Sequence, residues 1–260
     1  MSVCDLHHEQ EGASGAPVLV LGSSLGTPLE MWDPQMPTLR AGHELVRFDH
    51  RGHGRSPVPP GPYSIDDLGR DVLGLLDRMA IGRVSYCGLS LGGMVGMWLG
   101  INAPERVERL VLLCTSAHLP PASGWHQRAA TVRSAGSSEA VADAVLARWF
   151  TEPFAREHPD VIARHRRMVS DTPAEGYASC CEAIAALDLR DRLPSITAPT
   201  LVIGAQQDPS TPPEHQRAIA SAIPGARLEI LEQGAHLVNV ECTNLVSTLI
   251  AEHLETGAQR

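Results

Sequence analysis

Residues 86–94 read YCGLSLGGM, with Ser90 set between apolar neighbours, Gly88 two places before it and Gly92 and Gly93 behind. Glycine in a helix costs about 1 kcal/mol relative to alanine, and in a strand it withdraws a side chain that could pack. Gly-x-Ser-x-Gly makes sense where a strand turns sharply into a helix. There the serine takes a strained backbone, its hydroxyl stands free at the carboxyl edge of a sheet, and glycine at −2 and +2 relieves the collisions. The helix start behind it favours developing negative charge. Such a serine attacks only with a base beside it, and the base needs an orienting carboxylate. Asp208, in TLVIGAQQDPSTPP, lies four residues past Gly204 at the end of an apolar run, and His236, in LEILEQGAH, follows the last such run. Both would leave the same sheet edge as Ser90. His236 is expected to take the Ser90 proton and return one to the leaving oxygen, while Asp208 holds the tautomer. Asp188 and Asp191 compete for the acid role, but they precede the strand rather than follow it. An oxyanion needs two backbone N–H donors. Leu91 supplies one, and the stretch SSLGTPLEMW supplies the other, from Leu25 with Ser24 as runner-up.

These residues need a scaffold that brings three distant segments to one edge. PVLVLGSS, HELVRFD, RVSYCGL, VERLVLLCTS, APTLVIGA and ARLEILEQG are short apolar runs closed by turn residues, the pattern of strands buried on both faces. Between them lie helix patterns. Residues 63–79 space Ile65, Leu68, Val72, Leu75, Leu76 and Met79 along one face, with Ser64 and Asp67 as a capping box. GGMVGMWLGINAP, PPEHQRAIASAIPG and ECTNLVSTLIAEHL are further helices. Strand–helix alternation predicts an α/β fold with a mostly parallel central sheet covered by helices on both faces. Residues 119–193 break the alternation. SSEAVADAVLARWF, PDVIARHRRMVS and AEGYASCCEAIAALD read as successive helices, so residues 119–193 are expected to form an inserted helical cap on a core of 1–118 and 194–260.

Bulk properties narrow the chemistry. With 260 residues, 43% hydrophobic and 20% charged, the chain can bury a sizeable core. A net charge of −9 without a basic stripe argues against nucleic acid and acidic membranes as partners. The N-terminus shows no secretory pattern, and no apolar run approaches the roughly 18 residues of a membrane span. The six cysteines show no metal spacing and are expected as buried free thiols in a reducing cytoplasm. Of the twelve histidines, His7, His8, His50 and His53 are expected at the surface rather than as ligands, and no metal site is expected.

FDHRGHGRSP, CGLSLGGMVG, PTLVIGAQQDPSTPP and GAH together resemble the α/β-hydrolase superfamily along nearly the whole chain. SSLGTPLEMWDPQ, GWHQRAATVRSAG, ADAVLARWF and GYASCCEAIAALDLR resemble one branch, the 3-oxoadipate enol-lactonases. That resemblance implies a serine hydrolase that opens an enol lactone to 3-oxoadipate in aromatic catabolism, needs no metal or organic cofactor, and takes a small-molecule lactone or ester. It also implies a positive partner in the cap for the substrate's acetate arm. Arg133 is the first candidate, Arg128 and Arg148 are rivals, and Trp125 and Trp149 are pocket walls. Some relatives carry a fused carboxymuconolactone decarboxylase domain, which is not expected within a sequence that ends at Arg260. A general carboxylesterase, a C–C hydrolase or a perhydrolase shares the same motifs. A non-catalytic binding scaffold does not need all three of Ser90, Asp208 and His236.

Overall fold

The structure is a computed structural model describing residues 2–13 and 15–255. The strands in chain order are β1 (His8–Gly12), β2 (Val18–Gly22), β3 (Glu44–Phe48), β4 (Val84–Leu89), β5 (Val107–Leu113), β6 (Thr200–Ala205) and β7 (Arg227–Leu231). The helices are α1 (Met36–Leu39), α2 (Ile65–Arg78), α3 (Leu91–Asn102), α4 (Ala122–Ala135), α5 (Glu139–Trp149) and α6 (Glu152–Glu157), then α7 (Pro159–Asp171), α8 (Ala174–Ala185), α9 (Pro213–Ala222), α10 (Val238–Glu241) and α11 (Thr243–Glu255). One sheet takes the order β1-β3-β2-β4-β5-β6-β7. Every neighbouring pair is parallel except β1 with β3.

The six expected strands are β2 to β7, and β4 and β6 are buried along their whole length, as apolar runs in a covered parallel sheet should be. β1, HEQEG, carries no apolar pattern. It is held at the sheet edge by its backbone ladder to β3 and by Arg47 of β3, which pairs with Glu9 (2.9 Å) and Glu11 (2.8 Å) of β1 and with Asp33 (2.6 Å). The α2 capping box forms: Ser64 Oγ accepts from the Asp67 amide and Asp67 Oδ2 from the Ser64 amide. Helix α3, behind the Ser90 turn, is buried almost throughout.

Strand order reverses where β2 meets β4, the crevice at which open α/β sheets bind ligands. Their register sets Gly22 opposite Gly88, so the loop after β2 and the turn after β4 emerge side by side. Helices α4 to α8 all fall between β5 and β6. α5, α7 and α8 match the expected helices, while α4 and α6 are additional. α4 packs on α8, and α5 on α7. The expected core boundary at residue 260 lies outside the described residues.

Candidate active site

The turn at Ser90 has the strain that its glycines suggest. Ser90 sits at φ +55°, ψ −113°. A Cβ on Gly88 would lie 2.2 Å from the Gly92 carbonyl oxygen, and one on Gly92 would lie 2.1 Å from the Gly22 carbonyl oxygen. The backbone is pinned from the end of β5 and the segment after it: the Ser90 amide donates to Leu113 O (3.0 Å), and Thr115 Oγ1 donates to Ser90 O (2.7 Å).

Three segments converge here. Ser90 Oγ lies 2.9 Å from His236 Nε2, and His236 Nδ1 lies 2.8 Å from Asp208 Oδ2. The carboxylate on Nδ1 holds that proton, so Nε2 is left to accept from the serine hydroxyl. Asp208 is itself fixed: Oδ1 accepts the amides of Ser210 (2.8 Å) and Thr211 (3.1 Å), and Oδ2 accepts Thr211 Oγ1 (2.7 Å). Burial alone would push this carboxyl up. The adjacent His236 and the Thr211 hydrogen bonds outweigh it and hold Asp208 below the usual range, hence ionised. The rival acid Asp188 points elsewhere, paired with Arg190 at 2.6 Å, and Asp191 is exposed.

The loop after β2 is tied down by groups in FDHRGHGRS. The Gly26 amide donates to His53 Nε2 (2.9 Å), His50 Nε2 bonds Ser23 O (3.1 Å), and the Gly92 amide donates to the same Ser23 O (3.0 Å). The amides that follow the two candidate oxyanion donors, Gly26 after Leu25 and Gly92 after Leu91, are thus spent on the scaffold. His50 and His53, expected at the surface, are fully buried instead. Burial lowers His50 to about 3, with His53 adding to it, and lowers His53 to about 4, so both are neutral hydrogen-bonding parts. Among the other histidines named, His7 and His8 are partly exposed. Five cysteines are buried and free, whereas Cys242 is half-exposed.

A cavity of about 370 Å³ opens over Ser90 and His236, within the usual range for small-molecule sites. Its walls include Ser24, Leu25, Trp125, Trp149 and Tyr177, and its polar ends are Arg128 and Arg148. Among the described residues, none that lines it is acidic. Arg128 is half-buried, its guanidinium 4.7 Å from the Trp125 ring centroid. Arg148 is exposed, at the end of α5. Arg133 requires a correction, because it does not line the cavity. Its guanidinium joins α4 to α8, bonding Glu175 (3.0 Å), Glu182 and Ser179 (3.1 Å). Sequence spacing could not separate Arg128 from Arg133: they sit five residues apart on α4, and only the position of α8 decides which one meets acids.

Residues 17–241 match the family described as alpha/beta hydrolase fold. The chain is 39% identical to 3-oxoadipate enol-lactonase 2 of Acinetobacter baylyi, over 91% of this chain and 88% of that protein. The enol-lactonase from Burkholderia xenovorans LB400 superposes with a TM-score of 0.94 at 42% identity, covering 96% of each chain. A thermophilic esterase from Thermogutta terrifontis, solved with malate bound, superposes with a TM-score of 0.91 at 30% identity, covering 97% of this chain and 94% of that one. No helix among the described residues is long and apolar enough to cross a membrane.

Proposed function

Because the chain belongs to the alpha/beta hydrolase fold family, we propose that it is a serine hydrolase that opens 3-oxoadipate enol-lactone, with Ser90, His236 and Asp208 as its triad. The observation that carries this reading is the Ser90–His236–Asp208 hydrogen-bond chain opening into an arginine-bearing cavity with no acid in its lining. The enol-lactonase relatives named above supply the substrate.

The steps follow from the residues. As Ser90 Oγ attacks the ring carbonyl carbon, its proton passes to His236 Nε2, and Asp208 stabilises the imidazolium. The carbonyl oxygen becomes an oxyanion held by the amides of Leu91 and Leu25. The ring C–O bond breaks, His236 returns the proton, and the enol that leaves becomes a ketone still tethered to the acyl group. Water, deprotonated by His236, then cleaves the Ser90 ester and releases 3-oxoadipate.

The substrate's acetate carboxylate is best met by Arg128. It is the more buried of the two cavity arginines and is braced on Trp125, while Arg148 stands at the mouth. Trp125 and Trp149 flank the ring. Residues 119–193 act as the cap over a core of 1–118 and 194–260, and the buried free thiols suit a reducing cytoplasm. The test is loss of enol-lactone absorbance on adding purified protein, beside a neutral p-nitrophenyl ester. Wild type should turn over the lactone with the higher kcat/KM, and Ser90→Ala should turn over neither. Ester turnover without lactone turnover would make it a general esterase.

A further inference from the structure

The triad explains what His236 touches but not what holds the turn that carries it. His236 is the second residue after Gly234, and Gly234 sits at φ +93°. The amide just before the histidine, Ala235 N–H, donates to Glu241 Oε2. The amide just after it, Leu237 N–H, donates to the carbonyl of Trp149 (3.0 Å). The other carboxylate oxygen of Glu241, Oε1, accepts from both the amide and the hydroxyl of Thr151, each at 2.8 Å. Trp149 ends α5 and forms a wall of the cavity, and Thr151 caps α6.

Two separate bridges therefore connect the histidine turn to the cap wall two residues apart: one backbone to backbone, the other through a single carboxylate. A Cβ on Gly234 would lie 3.2 Å from Val238 Cγ2, tighter than ordinary contact, and 3.5 Å from Glu241 Oε2, so a glycine there leaves room for the turn to close on the carboxylate. A carboxylate suits the bridge because it only accepts, and three N–H or O–H donors converge on it from two elements.

We propose that Glu241 is a positioning residue for His236, locking the catalytic-histidine turn to the cap wall at Trp149 and Thr151 so that base and substrate wall move as one piece. The proposal rests on His236 being the base for Ser90. Glu241 touches neither substrate nor the reacting atoms. Its effect is the placement of Nε2 against Ser90 Oγ, where a displacement of about 1 Å costs on the order of 100-fold in rate. A substrate that presses on Trp149 also presses on the segment bonded to Leu237, so a fit in the cap is felt at the base.

The experiment compares Glu241→Gln, Thr151→Val, Thr151→Ser and the Thr151→Val/Glu241→Gln double variant with wild type and Ser90→Ala. The readouts are kcat and KM for the enol lactone and for a neutral ester, the rate of Ser90 labelling by a neutral fluorophosphonate, and Tm. Glutamine keeps one acceptor oxygen and puts an NH2 where the second oxygen was, so it cannot accept from both Ala235 and Thr151. Glu241→Gln should lower the labelling rate and kcat on both substrates by about 10- to 100-fold while KM moves less than about threefold. Thr151→Val should lower the same two quantities by roughly 3- to 10-fold, and Thr151→Ser should restore them. The double variant should be no slower than Glu241→Gln alone, because Thr151 acts through the same carboxylate. A loss of Tm with unchanged kcat and labelling would overturn the proposal, as would losses that multiply in the double variant. If Ser90→Ala retained turnover, the triad itself would be wrong. An inactive Ser90→Ala beside a fully active Glu241→Gln would overturn the role of Glu241 alone.

Discussion

Replacing Arg128 by methionine separates a carboxylate-binding cap from a merely greasy one. Arg128 is half-buried in the cavity, its guanidinium over the Trp125 ring at 4.7 Å, with no acid among the described lining residues to neutralise it. Methionine keeps much of the stem's bulk and removes the charge. A charge-assisted hydrogen bond to a substrate carboxylate contributes roughly 1.5–3 kcal/mol, about 10- to 150-fold in kcat/KM. A neutral ester would lose only the stacking on Trp125, about 0.5–1 kcal/mol, or two- to fivefold. The expected result is thus a selective loss: large on the enol lactone, small on the p-nitrophenyl ester. Lysine should rescue in part, since it restores a point charge without the planar fork. Arg148→Met, at the exposed mouth, should cost the lactone less than Arg128→Met. The assay is kcat/KM for both substrates on wild type and the three variants. An equal fall on both would mean that Arg128 shapes the cap rather than holding an anion, and no fall on either would remove it from the site.

Asp208→Asn should cost about 10⁴ in kcat by leaving the wrong histidine tautomer facing Ser90, whereas Asp188→Asn, on the surface with Arg190, should stay within about twofold; a steady-state assay of both decides which acid serves. Arg133→Met should lower activity on the lactone and the neutral ester alike and cost roughly 2–4 °C of Tm, because a partly exposed ion-pair cluster is worth about 1 kcal/mol. Arg133 first and the Ser179 hydroxyl after it pull Glu175 down to about 2, so that stabilisation is present above the ordinary glutamate range near 4.5. It is lost as pH falls toward 2, and the Tm difference between variant and wild type should shrink over that window. His50 and His53 are buried neutral, and unfolding lets them charge. Their contribution is complete above about 6.5 and is lost as pH falls toward 4, so denaturant titrations of wild type should show the slope and His53→Gln a shallower one.

The parts of this molecule written into local sequence were readable. Continuous apolar runs announced β2 to β7, and glycines around Ser90 announced a turn whose carbonyls leave no room for a Cβ. Asp208 and His236 stood out because each follows such a run. What escaped depends on partners far along the chain. β1 has no apolar face to signal it, and its place comes from Arg47 drawing Glu9 and Glu11 to the edge. His50 and His53 carry the polarity of surface residues, but each ring finds a backbone partner inside, so their burial leaves no ring stranded. Arg133 and Arg128 share one helix, and nothing within α4 states that Glu175 and Glu182 lie opposite the first while Trp125 backs the second.

That division bears on how the proposed activity could be altered. Strand ends and their glycines fix Ser90, Leu91 and Asp208, and the sheet register leaves these parts little freedom. In the proposed function the cap sets what fits, through side chains such as Arg128 and Trp125 that face the proposed triad across the cavity. Substitutions on that wall should therefore redirect substrate choice while sparing labelling of Ser90 by a small neutral probe. The segment at residues 149–151 is the exception, since Trp149 and Thr151 bond directly to the histidine turn and its Glu241 brace. Cap changes there should alter specificity and the rate of the chemical step together, which separates them in one measurement from changes at Arg128.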